Sequence, residues 1–138
     1  MATLVKSPSF AKAVLNGVHK FASDTFKAAL TNTLPGLTAT VLADITQVSG
    51  GAYPAGGYTL KGVTLSDAAG VAKVAIADEV ITAVGGTVGA LRYAVVYNDT
   101  AAGKPLVGYS DYGSSITLAD GETLTLDFDP DTGVLTLT

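Results

Sequence analysis

Leu91-Arg92-Tyr93-Ala94-Val95-Val96-Tyr97 opens the stretch that decides the fold, and Asn98-Asp99 breaks it. Three more strand-like runs follow: Pro105 to Tyr112, Ser114 to Leu118 with Glu122 to Phe128, and Val134 to Thr138. β-branched and aromatic residues alternate within the runs, and Gly, Asn and Asp separate them. That is the pattern of antiparallel strands folded into a sandwich or barrel.

Upstream, Thr25 to Thr31 reads as a first strand ended by Asn32-Thr33-Leu34-Pro35-Gly36. Thr38 to Val48 fits either a helical turn or a strand. Ser49 to Gly57 is a glycine-rich loop, followed by strand-like Tyr58 to Leu65. A phosphate-cradling loop needs a helix and a lysine at fixed spacing after its glycines, so phosphate binding is rejected here. Val71 to Ile81 supplies one or two further strands, broken near Asp78-Glu79. The total is roughly eight strands, too many for one flat sheet and natural for two packed layers. The expected class is mainly β: an antiparallel β-sandwich, jelly-roll or Ig-like, with one N-terminal amphipathic helix.

That helix is expected from Ser9 to about Phe21, with Ser7 as N-cap and Pro8 at the first helical position. Phe10, Ala11, Val14, Leu15, Val18 and Phe21 follow helical spacing, and Lys12, Asn16, His19 and Lys20 lie off the apolar stripe. The division expected is an N-terminal arm and helix over 1–22 and a single sandwich domain over 23–138.

Composition bounds the chemistry. The chain has 138 residues and no cysteine, which removes disulfides and thiolate metal sites. No secretory leader pattern and no membrane-spanning run is visible, so a soluble product of the cytoplasm is expected. Charged residues are only 14%, and mean hydropathy is +0.41. So thin a charged coat suits a surface partly covered by another subunit. Residues 1–27 carry a net +3 and the remainder a net −7. An acidic body argues against a nucleic-acid partner, which requires a clustered basic face.

Candidate chemistry is sparse. His19, the single histidine, reads as a solvent-exposed structural residue on the helix edge. Asp127, Asp129 and Asp131 alternate as calcium-loop carboxylates do, but Gly133 arrives one residue late, Pro130 stiffens the middle and no bidentate glutamate follows. A hairpin turn at Asp131-Thr132-Gly133 is the simpler reading. No metal, no cofactor and no catalytic group is expected. Tyr93, Val95 and Tyr97 share one strand face, and Tyr109-Ser110-Asp111-Tyr112 places an acid between two rings. Tyrosine suits cores and subunit interfaces, and such a mix also stacks on sugars. The interface candidates are Phe10, Lys12, Val14 and Lys20 on the helix, with Tyr93, Tyr97, Tyr109, Asp111 and Tyr112 on the strands.

Several strings resemble a family of small tailed-bacteriophage virion proteins. They are Ser23-Asp24-Thr25-Phe26-Lys27-Ala28-Ala29-Leu30-Thr31-Asn32-Thr33, Val41 to Thr46, Tyr93 to Thr100, Leu106 to Gly113, Gly121 to Phe128, and Gly133 to Leu137. The resemblance covers most of the chain from Ser23 onward and is weakest from Ser49 to Ile81. It implies a capsid decoration (cement) protein on the exterior of an icosahedral head, made in the host cytoplasm. Its partners would be the major capsid protein and itself, as a homotrimer, with no nucleic acid and no membrane. The alternative is a tail or fibre component that binds host carbohydrate through Tyr109, Asp111 and Tyr112. No functional residue is carried over from the family.

Overall fold

The computed structural model describes residues 4–129, 131 and 133–137. The chain is mainly β, with antiparallel sheets and one short helix. Ten strands form among the described residues: β1 (Val5–Lys6), β2 (Phe26–Thr31), β3 (Tyr58–Thr59), β4 (Thr64–Ala68), β5 (Val71–Ala75), β6 (Glu79–Thr82), β7 (Val88–Asn98), β8 (Leu106–Leu118), β9 (Thr123–Leu126) and β10 (Leu135–Leu137). A five-stranded sheet runs β1-β8-β7-β2-β3. A three-stranded sheet β10-β5-β4 and a pair β6-β9 complete the framework. Among the described residues, no helix is long and apolar enough to cross a membrane.

The first sheet is the spine. Its inner face contributes Ala28, Leu30, Leu91, Ala94, Val96 and Val107 to the main core, where they meet Val74, Ile81, Leu124 and Leu126 from the smaller sheets and Ile76 and Phe128, which follow β5 and β9. This is the sandwich-like arrangement the alternating pattern demands, and each fully buried Leu, Ile or Val contributes roughly 1.5–3 kcal/mol. The outer face is covered as well. Ala29, Val95, Tyr97 and Leu106 form a second cluster beneath Ala39, Leu42 and Ile45, which belong to the segment after β2. Ala94 to Asn98 is therefore buried without interruption, unlike the one-sided alternation of a strand with a wet face.

Of the two readings open for Thr38 to Val48, the helical turn forms: Leu42–Asp44 makes one 3-10 turn, and Val41 before it bridges Pro105. Several other expectations are corrected. Tyr58 to Leu65 splits into β3 and the start of β4, on different sheets. Pro105–Tyr112 and Ser114–Leu118 are one strand with an interruption. Between the pairs Tyr93↔Asp111 and Leu91↔Ile116, β7 places only Arg92 opposite Tyr112, Gly113, Ser114 and Ser115, which bulge from the ladder. The strands on either side of Asp131-Thr132-Gly133 do not pair with each other as a hairpin would require: β9 pairs with β6 and β10 with β5. Pro130 and Thr132 lie outside the described residues.

The N-terminal segment also differs. The helix α1 is only Phe10–Leu15, with Ser9 as N-cap and no side-chain capping bond. Ser7 and Ser9 instead share a hydroxyl–hydroxyl contact at 3.4 Å. Asn16 and a left-handed Gly17 (φ 70°) end the helix, so Val18 to Phe21 leave its path. Leu15 is therefore 87% exposed rather than on a core stripe. The segment is nonetheless integral: β1 pairs with β8, and Leu4, Phe10 and Phe21 sit in the main core.

Candidate functional site

Phe10, His19, Phe21 and Phe26 build an aromatic cluster at one end of β2. Phe10 and His19 stack at 5.6 Å, and Phe21 and Phe26 at 4.8 Å. His19 is buried, not solvent-exposed as its place in the sequence suggested, because the chain turns inward after Gly17. Desolvation pushes its pKa down from 6.5, with nearby Asp24 opposing. Asn98, fully buried, organises this corner. Its Oδ1 accepts the amide N–H groups of Thr100 (3.0 Å) and Ala101 (3.1 Å), so its amino group faces the other way. There it donates to Asp24 Oδ2 (2.8 Å) and lies 3.3 Å from His19 Nδ1 and 3.4 Å from the Val18 carbonyl. An amino group facing Nδ1 assigns it the acceptor role and the ring proton to Nε2, a buried atom with no hydrogen-bond partner among the described residues.

Beside this ring lies an apolar crevice of about 190 Å³ between α1 and the β10-β5-β4 sheet. Val14, Phe21, Val74 and Leu135 line its depth. Leu65 and Leu137 line it too and remain 51% and 54% exposed. Antiparallel pairing sets Leu65, Val74 and Leu135 side by side on the face that lines it.

The opposite end of β2 carries a second exposed group. After Thr31, the turn Leu34-Pro35-Gly36-Leu37 leaves Leu34 53% and Leu37 89% exposed. It is tied to the β8 bulge, where the Ser115 hydroxyl donates to Asn32 Oδ1. Tyr112 stands on the same bulge, also exposed. Next to it, Arg92 grips Asp111 with two bonds, Nε–Oδ1 at 2.8 Å and a second at 3.1 Å, and its guanidinium lies over the Tyr93 ring. The guanidinium and the Gly113 amide hold the Asp111 carboxyl below the usual carboxylate range.

Among the interface candidates, three are corrected. Phe10, Tyr93 and Tyr97 are 6%, 6% and 1% exposed, so they belong to the chain's own interior. Tyr97 pins the glycine-rich loop by donating to the Gly56 carbonyl, and burial pushes its phenol up to about 12. Tyr53 anchors the same loop from the other side: it accepts the Leu30 amide and donates to Gln47, and its phenol also rises to about 12. Gly57 permits this close packing, since a Cβ there would run into the Ala28 carbonyl. Lys12 and Lys20 are exposed, Val14 is half-buried at the crevice, and Tyr109 is half-buried with its ring edge against Tyr93. Asp111 already has its carboxylate engaged. Asp127 Oδ1 accepts the Asp129 amide, and the Asp131 carbonyl accepts from Lys73; no group of three or more metal-binding side chains converges among the described residues.

Leu15, Leu34, Leu37, Leu65 and Leu137, with Val5, Val80 and Val84, are exposed aliphatic residues that pattern reading missed. The one signal available was compositional, the high hydropathy with little charge. No protein family matches this chain, and no characterised protein or solved structure matches it either.

Proposed function

We propose that this chain is a capsid decoration protein of a tailed bacteriophage. It binds the outer surface of the icosahedral head as a homo-oligomer, a trimer, and stabilises the lattice of the major capsid protein without performing a reaction. The observation that supports this reading is the amount of apolar surface: Leu34 and Leu37 past one end of β2, Leu65 and Leu137 at the crevice, and Leu15, Val80 and Val84 elsewhere all stand exposed on an antiparallel body. Monomers rarely leave such groups clustered unless a partner covers them. Burial at about 25 cal/mol per Å² over a standard interface of roughly 800 Å² per partner supplies the adhesion. Binding to the assembled shell but not to its dissociated subunits then stabilises the shell by mass action.

The test is co-sedimentation of the purified chain with expanded, undecorated heads of the phage that encodes it. Saturable binding with a raised temperature of head disruption supports the reading. A chain that stays in the supernatant, or that binds saccharides on a glycan array, overturns it.

A further inference from the structure

Residues 8–24 are tied to the body of the protein by few polar contacts. Their backbone bonds are local: Ala13, Asn16 and Val18 donate within α1 and its end, and Ser23 and Asp24 donate to the Lys20 carbonyl. Among the described residues, the hydrogen bonds from this stretch to the sheets all involve one group. It is the Asn98 amino, which reaches the Val18 carbonyl, His19 Nδ1 and Asp24 Oδ2. Both flanks are anchored independently of it. Ser7 donates to the Val107 carbonyl, and Thr25 bonds Thr100 through its amide and Asp99 through its carbonyl. The remaining hold is apolar, from Phe10, His19 and Phe21 in the aromatic cluster with Phe26. We infer that residues 8–24 are a flap that acid releases, with His19 as its latch: the neutral ring fits the closed position and the charged ring does not.

The geometry at both ring nitrogens carries this. Asn98 cannot turn its amide over to meet a charged ring, because its Oδ1 holds the Thr100 and Ala101 amides. Its amino group therefore stays against Nδ1, where a second ring proton would set donor against donor at 3.3 Å. Nε2 is buried with no partner among the described residues. An imidazolium needs two acceptors and finds neither. Asp24 is the charged group that acts on the ring, and it favours the charged form, but its Oδ2 already receives the Asn98 amino and the Lys20 amide. The other neighbours carry no charge: Phe10 on α1, Phe21 in the loop after it, Phe26 on β2, and Val74 and Leu135 in the lining of the shared crevice. Burial outweighs Asp24, so the folded pKa lies below 6.5. A released ring regains water and its ordinary value, so protons favour the open flap as pH falls below about 6.5. Opening uncovers Phe26 and leaves the sheets paired.

The test is hydrogen exchange of the full chain from pH 8 to 5, corrected for the intrinsic pH dependence of exchange, with NMR titration of the imidazole. His19 is the single histidine, so its signals need no assignment by mutation. The proton is expected on Nε2 at pH 8, and the ring should titrate below 6.5. Opening of the Ala13, Asn16, Val18 and Asp24 amides should rise as pH falls, toward a ceiling of roughly thirtyfold at pH 5 for a ring that titrates at 6.5 once released. Amides of β7 and β8 should keep their protection. His19→Phe keeps an aromatic ring that cannot charge, so its flap should lose the rise. If that variant does not fold, the imidazole titration and the contrast between flap and strand amides in the parent decide the matter. A ring that titrates at or above 6.5, flap amides indifferent to pH, a rise shared equally by β7 and β8, or the same rise in His19→Phe each overturn the inference.

Discussion

Replacing Asn98 by alanine tests how the N-terminal segment is held to the body of the protein. Asn98 is fully buried at the end of β7 and makes contacts in two directions. Two backbone amides, Thr100 and Ala101, donate to its Oδ1, and its two amino protons serve Asp24 Oδ2, His19 Nδ1 and the Val18 carbonyl. Alanine removes about four effective bonds, each with a net contribution of roughly 0.5–1.5 kcal/mol. Thr100 and Ala101 are near solvent and recover part of this with water, whereas His19 Nδ1 loses its partner inside the protein. The expected loss is about 3 kcal/mol. Urea denaturation should show a lower midpoint at unchanged slope. Hydrogen exchange should show the Ser23 and Asp24 amides, bonded to the Lys20 carbonyl, opening before those of β7. Asn98→Asp keeps the acceptor for Thr100 and Ala101 but sets a carboxylate against Asp24, so it should recover only the outer share. An alanine variant within about 0.5 kcal/mol of the parent, below the net value of a single such bond, would refute the reasoning.

Gly57→Ala should destabilise by about 3 kcal/mol in the same denaturation assay, because φ is +90° and the added carbon meets the Ala28 backbone. The pH dependence of melting follows from His19. Its folded pKa lies below 6.5, so the unfolded chain binds the proton more readily, and stability is full above about 6.5 and falls as pH drops from there toward the folded value. Calorimetry of the parent from pH 8 to 5 should show that decline, and His19→Phe should lose it; a parent flat across the interval would contradict it. The stabilisation from Asp99 and Asp111, held down by Lys104 and Arg92 respectively, is present throughout that interval and is lost only at lower pH, as it falls from the ordinary carboxylate range through their depressed values. Lys12→Glu with Lys20→Glu should leave melting near that of the parent, since both side chains are exposed, and should weaken binding to heads in low salt more than in high salt. Equal binding at both ionic strengths would remove these lysines from the contact.

β7 and β8 are legible because β-branched and aromatic residues recur there and Asn98-Asp99 and Gly113 punctuate them, and β2 because Asn32 to Gly36 ends it. Even so, the double burial of Ala94 to Asn98 was hidden, since the cover comes from Ala39, Leu42 and Ile45 in a segment with no clear periodicity. The helix ends sooner than the pattern suggests, because Val18 and Phe21 match a 3.6-residue repeat by position only. They are placed instead by the Gly17 turn and by the demand for aromatic bulk at the Phe26 end of the core. His19 was misplaced for the same reason. Arg92 and Asp111 are 19 residues apart and meet only through the β7–β8 register. Exposure of Leu34, Leu37 and Leu65 depends on which way each backbone segment turns, and composition carries only the total. A hydrophobic turn and a hydrophobic strand look alike until the strand edges are known.

The proposed adhesion to a shell is decided by imaging, at side-chain resolution, the heads of the phage proposed to encode this chain. Symmetric copies of this fold are expected on the outer capsid surface, with the exposed leucines past β2 and around the crevice covered by neighbouring subunits. Heads that lack the chain, or copies found only in the tail, would contradict it.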